Sequence, residues 1–190
     1  MSIMRETPVG EEENQALKAR LDAFYKNNYD SSDMSEQEKD IAMLALLIDD
    51  LDSDEDALNF TSPHENNISV SAGAVGMDIF KDGLENNSIE NINAALEMTV
   101  AAKAAFSDDA GYLSGPYDQE QLSIMAYAAD KVGFTMKNRP NDLEISPETK
   151  YTMDAAWDKM QKDLGMTAEE APAPTLTADA DLQNQNTVTV

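Results

Sequence analysis

Cysteine is absent from this 190-residue chain. Disulfides, thiolate metal sites and cysteine nucleophiles are therefore closed to it. Histidine occurs once, as His64, and tryptophan once, as Trp157. A single imidazole rules out multi-histidine metal centres and leaves any Ser-His-Asp arrangement resting on one residue. No apolar run reaches the ~18 residues that a membrane helix needs. The opening residues, MSIMRETPVGEEEN, hold one Arg and no apolar leader core. Together these absences suit a cytoplasmic protein with no membrane span.

Basic residues are also scarce. Thirteen Lys and Arg stand against 37 Asp and Glu, for a net charge of −24. Such a chain is repelled by nucleic acid backbones and by anionic membrane surfaces. Its charged partners are cations or the basic surfaces of other proteins. The charge is uneven: residues 31–60 carry one Lys and ten acids, whereas residues 121–150 carry four of each sign.

Apolar residues make up 42% of the chain, enough for a sizeable core. Their spacing is mostly helical. A first helix is expected over residues 11–27, with Glu11, Glu12 and Glu13 at the positive end of its dipole and Leu17 and Leu21 on one face. Ser35 and Glu38 form a capping box for a second helix, whose run IAMLALLI, residues 41–48, is apolar nearly all round. Residues 61–84 carry two patterns. Ser62, Pro63 and Glu65 read as a helix start, while Ile68, Val70, Ala72 and Ala74 alternate as a strand does. Helix is the expectation here, because no second convincing strand offers itself for pairing. Ser88, Asp118 and Ser146 cap three further helices, the middle one closed by Gly133. Trp157 falls with Met153 and Met160 on the inner stripe of the last. The stretch SDDAGYLSGPYD is expected to be a loop.

The fold class expected is therefore all-α, with about six helices packed as one domain over residues 11–166. Residues 1–10 are expected to be frayed. Residues 167–190, rich in Pro, Thr and Ala and free of basic residues, are expected to be a disordered acidic tail.

One stretch resembles a ligand set: DDLDSDEDALNF, residues 49–60. Asp50, Asp52, Asp54 and Asp56 alternate as calcium ligands do. A helix–loop–helix calcium site also needs Gly at position 6 and a bidentate Glu at position 12. Counting from Asp50 puts Glu55 and Thr61 there; counting from Asp52 puts Pro63 at the twelfth. Both registers fail, so no metal site and no cofactor are expected. The bland account of this stretch is a solvated helix end, with Ser53 or Asp54 capping a further short helix through Phe60. The functional account is a partner-binding patch of Asp49, Asp50, Asp52, Asp54, Glu55 and Asp56. Tyr112 and Tyr117, in a glycine-containing loop, join it as contact residues. His64 reads as an ordinary surface histidine, and no G-x-S-x-G nucleophile elbow occurs.

The expected function is that of a non-enzymatic acidic binding protein acting through protein contacts, its partner presenting a basic surface. Three rivals follow from the same composition. A DNA-mimic inhibitor would rule its carboxylates along one face, and a carboxylate-based metal-dependent hydrolase would converge them in a pocket. A component of a larger particle, such as a viral one, would expose an apolar patch.

Overall fold

The computed structural model describes residues 1–27, 33–53, 57–81, 83–107 and 109–163. Along them the chain runs β1 (Ser2–Arg5), α1 (Glu11–Lys26), α2 (Glu36–Leu46), β2 (Asp50–Ser53), β3 (Leu58–Thr61), β4 (Asn67–Val70), β5 (Ala74–Met77), α3 (Ile89–Phe106), β6 (Gly111–Ser114), α4 (Gln119–Val132) and α5 (Pro147–Asp163). The all-α expectation is thereby corrected. The fold is mixed α/β, with an antiparallel six-stranded sheet in the order β2-β3-β4-β5-β1-β6.

The physical reason lies in residues 58–77. Leu58 and Phe60, Ile68 and Val70, and Val75 and Met77 alternate with polar or small neighbours, and every one of the six is buried. Each run is only four residues long, too short to announce itself, but adjacent runs pair in register: Phe60 opposite Ile68, and Ile68 opposite Met77. The helix-start signature at Ser62 closes a hairpin instead. Ser62 N–H donates to the Asn66 carbonyl at 2.8 Å, Ser62 Oγ accepts from Asn66 N–H, and Glu65 takes a left-handed φ of 59°. That conformation is uncommon for a residue with a side chain, and such residues recur in hairpin loops of this length.

Three more expectations change with it. Residues 2–5, expected to be frayed, form β1, an inner strand between β5 and β6. Residues 111–114, expected in a loop, form the edge strand β6. Of the short helix expected to run to Phe60, Ser53 belongs to β2 and Leu58 to Phe60 belong to β3, while residues 54–56 lie outside the described residues. The tail, residues 167–190, lies outside the described residues.

Five of the expected helices form, with the caps expected of them. Ser35 and Glu38, and Asp118 and Gln121, make reciprocal capping boxes. Ser88 Oγ accepts from Asn91 N–H and Ser146 Oγ from Thr149 N–H. Gly133 ends α4 in the left-handed conformation, φ 77°.

Helix α3 organises the rest. It packs on β1, β4 and β5 with one side and on α2, α4 and α5 with the other. An Ala-rich sequence suits that position, because small side chains let both layers approach. Helix α1 lies beside α2 with Leu17 and Leu21 buried. It is tied to the β4–β5 turn by Asn14 Oδ1, which accepts from Ala72 N–H at 2.6 Å. Trp157 is partly buried against this core.

The two sheet edges differ. Residues 135–138 close the β6 side. Gly111 N–H donates to the Thr135 carbonyl and Lys137 N–H to the Gly111 carbonyl. The Asn138 amide then both accepts from Leu113 N–H and donates to the Leu113 carbonyl, each at 2.9 Å. On the β2 side no described residues continue the sheet.

Candidate functional site

Helices cover one face of the sheet; the other is open. Its side chains come from the alternate positions of each strand: Asp50 and Asp52, Asn59 and Thr61, Asn67 and Ser69, Gly76, Ser2, Ser114 and Tyr112. Apart from Tyr112, and from Met4 and Ala74, which share the face, they are short, and most are polar. Across the β2 half they surround a shallow hollow of about 560 Å3, to which Asp78 adds a third carboxylate. Gly76 leaves its floor open, since a Cβ there would come no nearer than 3.8 Å to Ser2 Oγ.

The acids expected to bind a partner divide accordingly. Asp50 and Asp52 line the hollow from the edge strand β2, both exposed. Asp49 precedes β2, is exposed, and donates its N–H to the Thr61 carbonyl at 3.0 Å. Asp54, Glu55 and Asp56 lie outside the described residues. Charges on an edge strand have a structural role as well, since they discourage pairing with a second chain. The two tyrosines are not brought to these acids. Tyr112 stands exposed on the same open face but on β6, five strand spacings of ~4.8 Å, about 24 Å, from β2. Tyr117 is partly buried against the core, its hydroxyl donating to the Ser114 carbonyl. Burial is also the main reason that its hydroxyl pKa lies above the usual tyrosine value.

A second constellation escapes the sequence reading. Glu97, at the middle of α3, has a side chain with no exposed surface, while the side chain of His64 is 45% exposed. The hairpin loop between β3 and β4 wraps around this carboxylate. Ser62 Oγ–H and an Asn66 Nδ2–H donate to Oε2, each at 2.8 Å, and His64 Nδ1 lies 2.6 Å from Oε1. A buried carboxylate needs such donors, because burying it unpaired costs several kcal/mol. A carboxylate only accepts, so Nδ1 carries a hydrogen, and a neutral ring then has its lone pair at Nε2. The sequence does carry a signal for Glu97, an acid on the core side of an Ala-rich helix. His64 carries none, since Pro63 and the helix-like start hide the turn that presents it.

Elsewhere, ion pairs tie distant segments together, as Arg5 with Asp109 and Lys103 with Asp40 do. Tyr127 Oη–H donates to Asp154 Oδ1 at 2.9 Å, and Lys131 reaches the same carboxylate at 2.7 Å. The Lys131 ammonium, hydrogen-bonded to Asp154, holds its carboxyl below the usual carboxylate range. Among the described residues no group of three or more His, Asp or Glu side chains is placed to hold a metal ion. No described helix is long and apolar enough to cross a membrane. Compared with family models, with characterised proteins and with solved structures, the chain gives no match.

Proposed function

We propose that this chain is a non-enzymatic binding protein that docks a basic protein surface on the open face of its sheet. The observation that carries the reading is the hollow beside β2. Asp50, Asp52 and Asp78 line it, and no lysine or arginine does. The one cation at its rim, the Met1 amino group, is engaged by the Met77 carbonyl at 2.8 Å. Short side chains keep the face accessible, and the net charge of −24 steers a cationic surface toward it over a longer range. Tyr112, across the sheet, offers a flat contact to a partner broad enough to span the strands.

The test uses a labelled oligoarginine peptide as a probe of the surface and fluorescence anisotropy as the readout. The triple variant Asp50→Asn/Asp52→Asn/Asp78→Asn is compared with a control that removes three exposed acids elsewhere, Glu12→Gln/Glu90→Gln/Asp158→Asn. Exposed pairs contribute roughly 0.5 kcal/mol each, so three should account for about a tenfold loss of affinity. The reading holds if the sheet variant loses that much more than the control. Equal losses would mean that the peptide reads only net charge, and the docking face would be abandoned.

A further inference from the structure

Ile89 and Tyr151 are two of the most exposed large apolar side chains in the structure, and they stand together. Both line a second cavity, of about 540 Å3, between the end of α2, the start of α3 and the length of α5. Leu46, Leu47, Ala156 and Met160 supply apolar wall. His64 and Glu97 form one polar corner, and Asn93, Thr152, Lys159 and Asp163 are the other polar groups of the lining. A concave, mainly apolar space of this size with a few convergent polar groups is the common form of a small-molecule site. It lies on the helical side of the molecule and shares no lining residue with the open-face hollow.

The chemistry of the corner narrows the ligand. Glu97 already has three partners and no exposed side-chain surface, so it is out of a newcomer's reach. Lys159, the only lysine or arginine among the lining residues, is held by Asp163 at 2.7 Å. An anionic head group therefore finds no unpaired cation. Nε2 of His64 is different: it has no hydrogen-bond partner among the described residues, and with Nδ1–H directed at Glu97 the neutral ring presents it as an acceptor. The hairpin holds it there rigidly, with Ser62 and Asn66 clamping the carboxylate that orients the ring. A group that meets it must donate.

We propose that this cavity binds a neutral apolar small molecule through a single hydroxyl, phenolic or alcoholic, which donates to Nε2 of His64. The buried Glu97 acts on the ligand only through the ring, as a positioning residue.

Naphthol and naphthalene form a matched pair of probes, alike in shape and differing in the donor. The full chain is titrated with each and followed by nitrogen NMR of the imidazole. Because His64 is the sole histidine, its two ring signals need no assignment against others. The expected result is saturable binding of both, naphthol tighter by about tenfold, the worth of one well-made hydrogen bond. Naphthol should also move the Nε2 signal, and naphthalene should not. His64→Phe should keep the naphthalene affinity and erase the preference. Equal affinities, an unmoved Nε2 signal at saturating naphthol, or no binding of either probe would overturn the proposal. The wild-type nitrogen readout decides the matter even if the variant fails to fold.

Discussion

Replacing Glu97 separates what its charge does from what its shape does. In Glu97→Ala, the buried Ser62 Oγ and the partly buried Asn66 Nδ2 lose their acceptor, while the half-exposed His64 ring can turn outward. The orphaned Ser62 hydroxyl costs about 1–3 kcal/mol, the Asn66 amide less because water reaches it, and the lost side chain leaves a void besides, so the variant should be destabilised by roughly 2–4 kcal/mol. For a domain of ~150 residues that is a fall in Tm of the order of 10 °C. Glu97→Gln keeps the shape. Its carbonyl oxygen can take the Oε2 position and accept from both Ser62 and Asn66. Its amide nitrogen then faces His64 Nδ1, which has to accept, so the ring proton moves to Nε2. The Gln variant should lose no more than about 1.5 kcal/mol, the net worth of a typical hydrogen bond. Its distinguishing mark is the exchanged tautomer in the nitrogen spectrum. Urea unfolding of the three proteins gives the stabilities. The reasoning is refuted if Glu97→Ala costs as little as Glu97→Gln, or if the Gln variant retains the wild-type tautomer.

Further expectations concern the scaffold. A Cβ on Gly111 would meet Phe134 Cζ at 2.8 Å, Ile3 Cγ2 at 2.9 Å and the Met4 carbonyl at 3.0 Å, so Gly111→Ala should cost about 1–3 kcal/mol. Gly76→Ala, with open space above it, should be tolerated; thermal melts of the pair check the contrast. Asn138→Ala removes both bonds to Leu113 and should cost roughly 1–2 kcal/mol, with faster amide exchange at Leu113 than in the wild type. The depressed Asp154 carboxyl stabilises the fold at pH values above its unfolded value of ~3.9 and ceases to as acid protonates it. Because that group is substantially exposed, the Asp154→Asn difference in stability should stay under about 1 kcal/mol at neutral pH and vanish in acid.

The helices were legible because their signals are local. A cap, a 3.6-residue stripe and a closing Gly lie within one segment, as at Asp118, Gln121 and Gly133. The strands were not, because a four-residue strand is defined by its neighbours. β1 comes from the first residues and β6 from a stretch separated from it by 105 residues, with pairs such as Ile3 and Leu113 joining them. A lone strand is unstable, and the partners that remove the objection lie in segments that read locally as a frayed end and a loop. Ser62 and Pro63 misled for a chemical reason: a hydroxyl that accepts a backbone N–H a few residues on serves a hairpin turn as well as a helix cap. Of the candidate acids, Asp50 and Asp52 could be seen as a pair on one face only once β2 was known to be a strand, where alternate residues point the same way. Glu97 is a charge within an apolar, Ala-rich run, but nothing local points to its partners, which lie in the β3–β4 loop.

Helix α3 serves the sheet and the helical layer together, so neither layer has a core to itself. The molecule therefore cannot shed its strands and keep its helices: opening the β3–β4 hairpin uncovers α3, and uncovering α3 removes the floor of α4 and α5. Amide hydrogens at the centre of α3 and in β4 should exchange only through the same global event, with a common free energy, while the ends of α1 exchange locally. Cooperativity here belongs to a single helix rather than to the sum of the contacts around it.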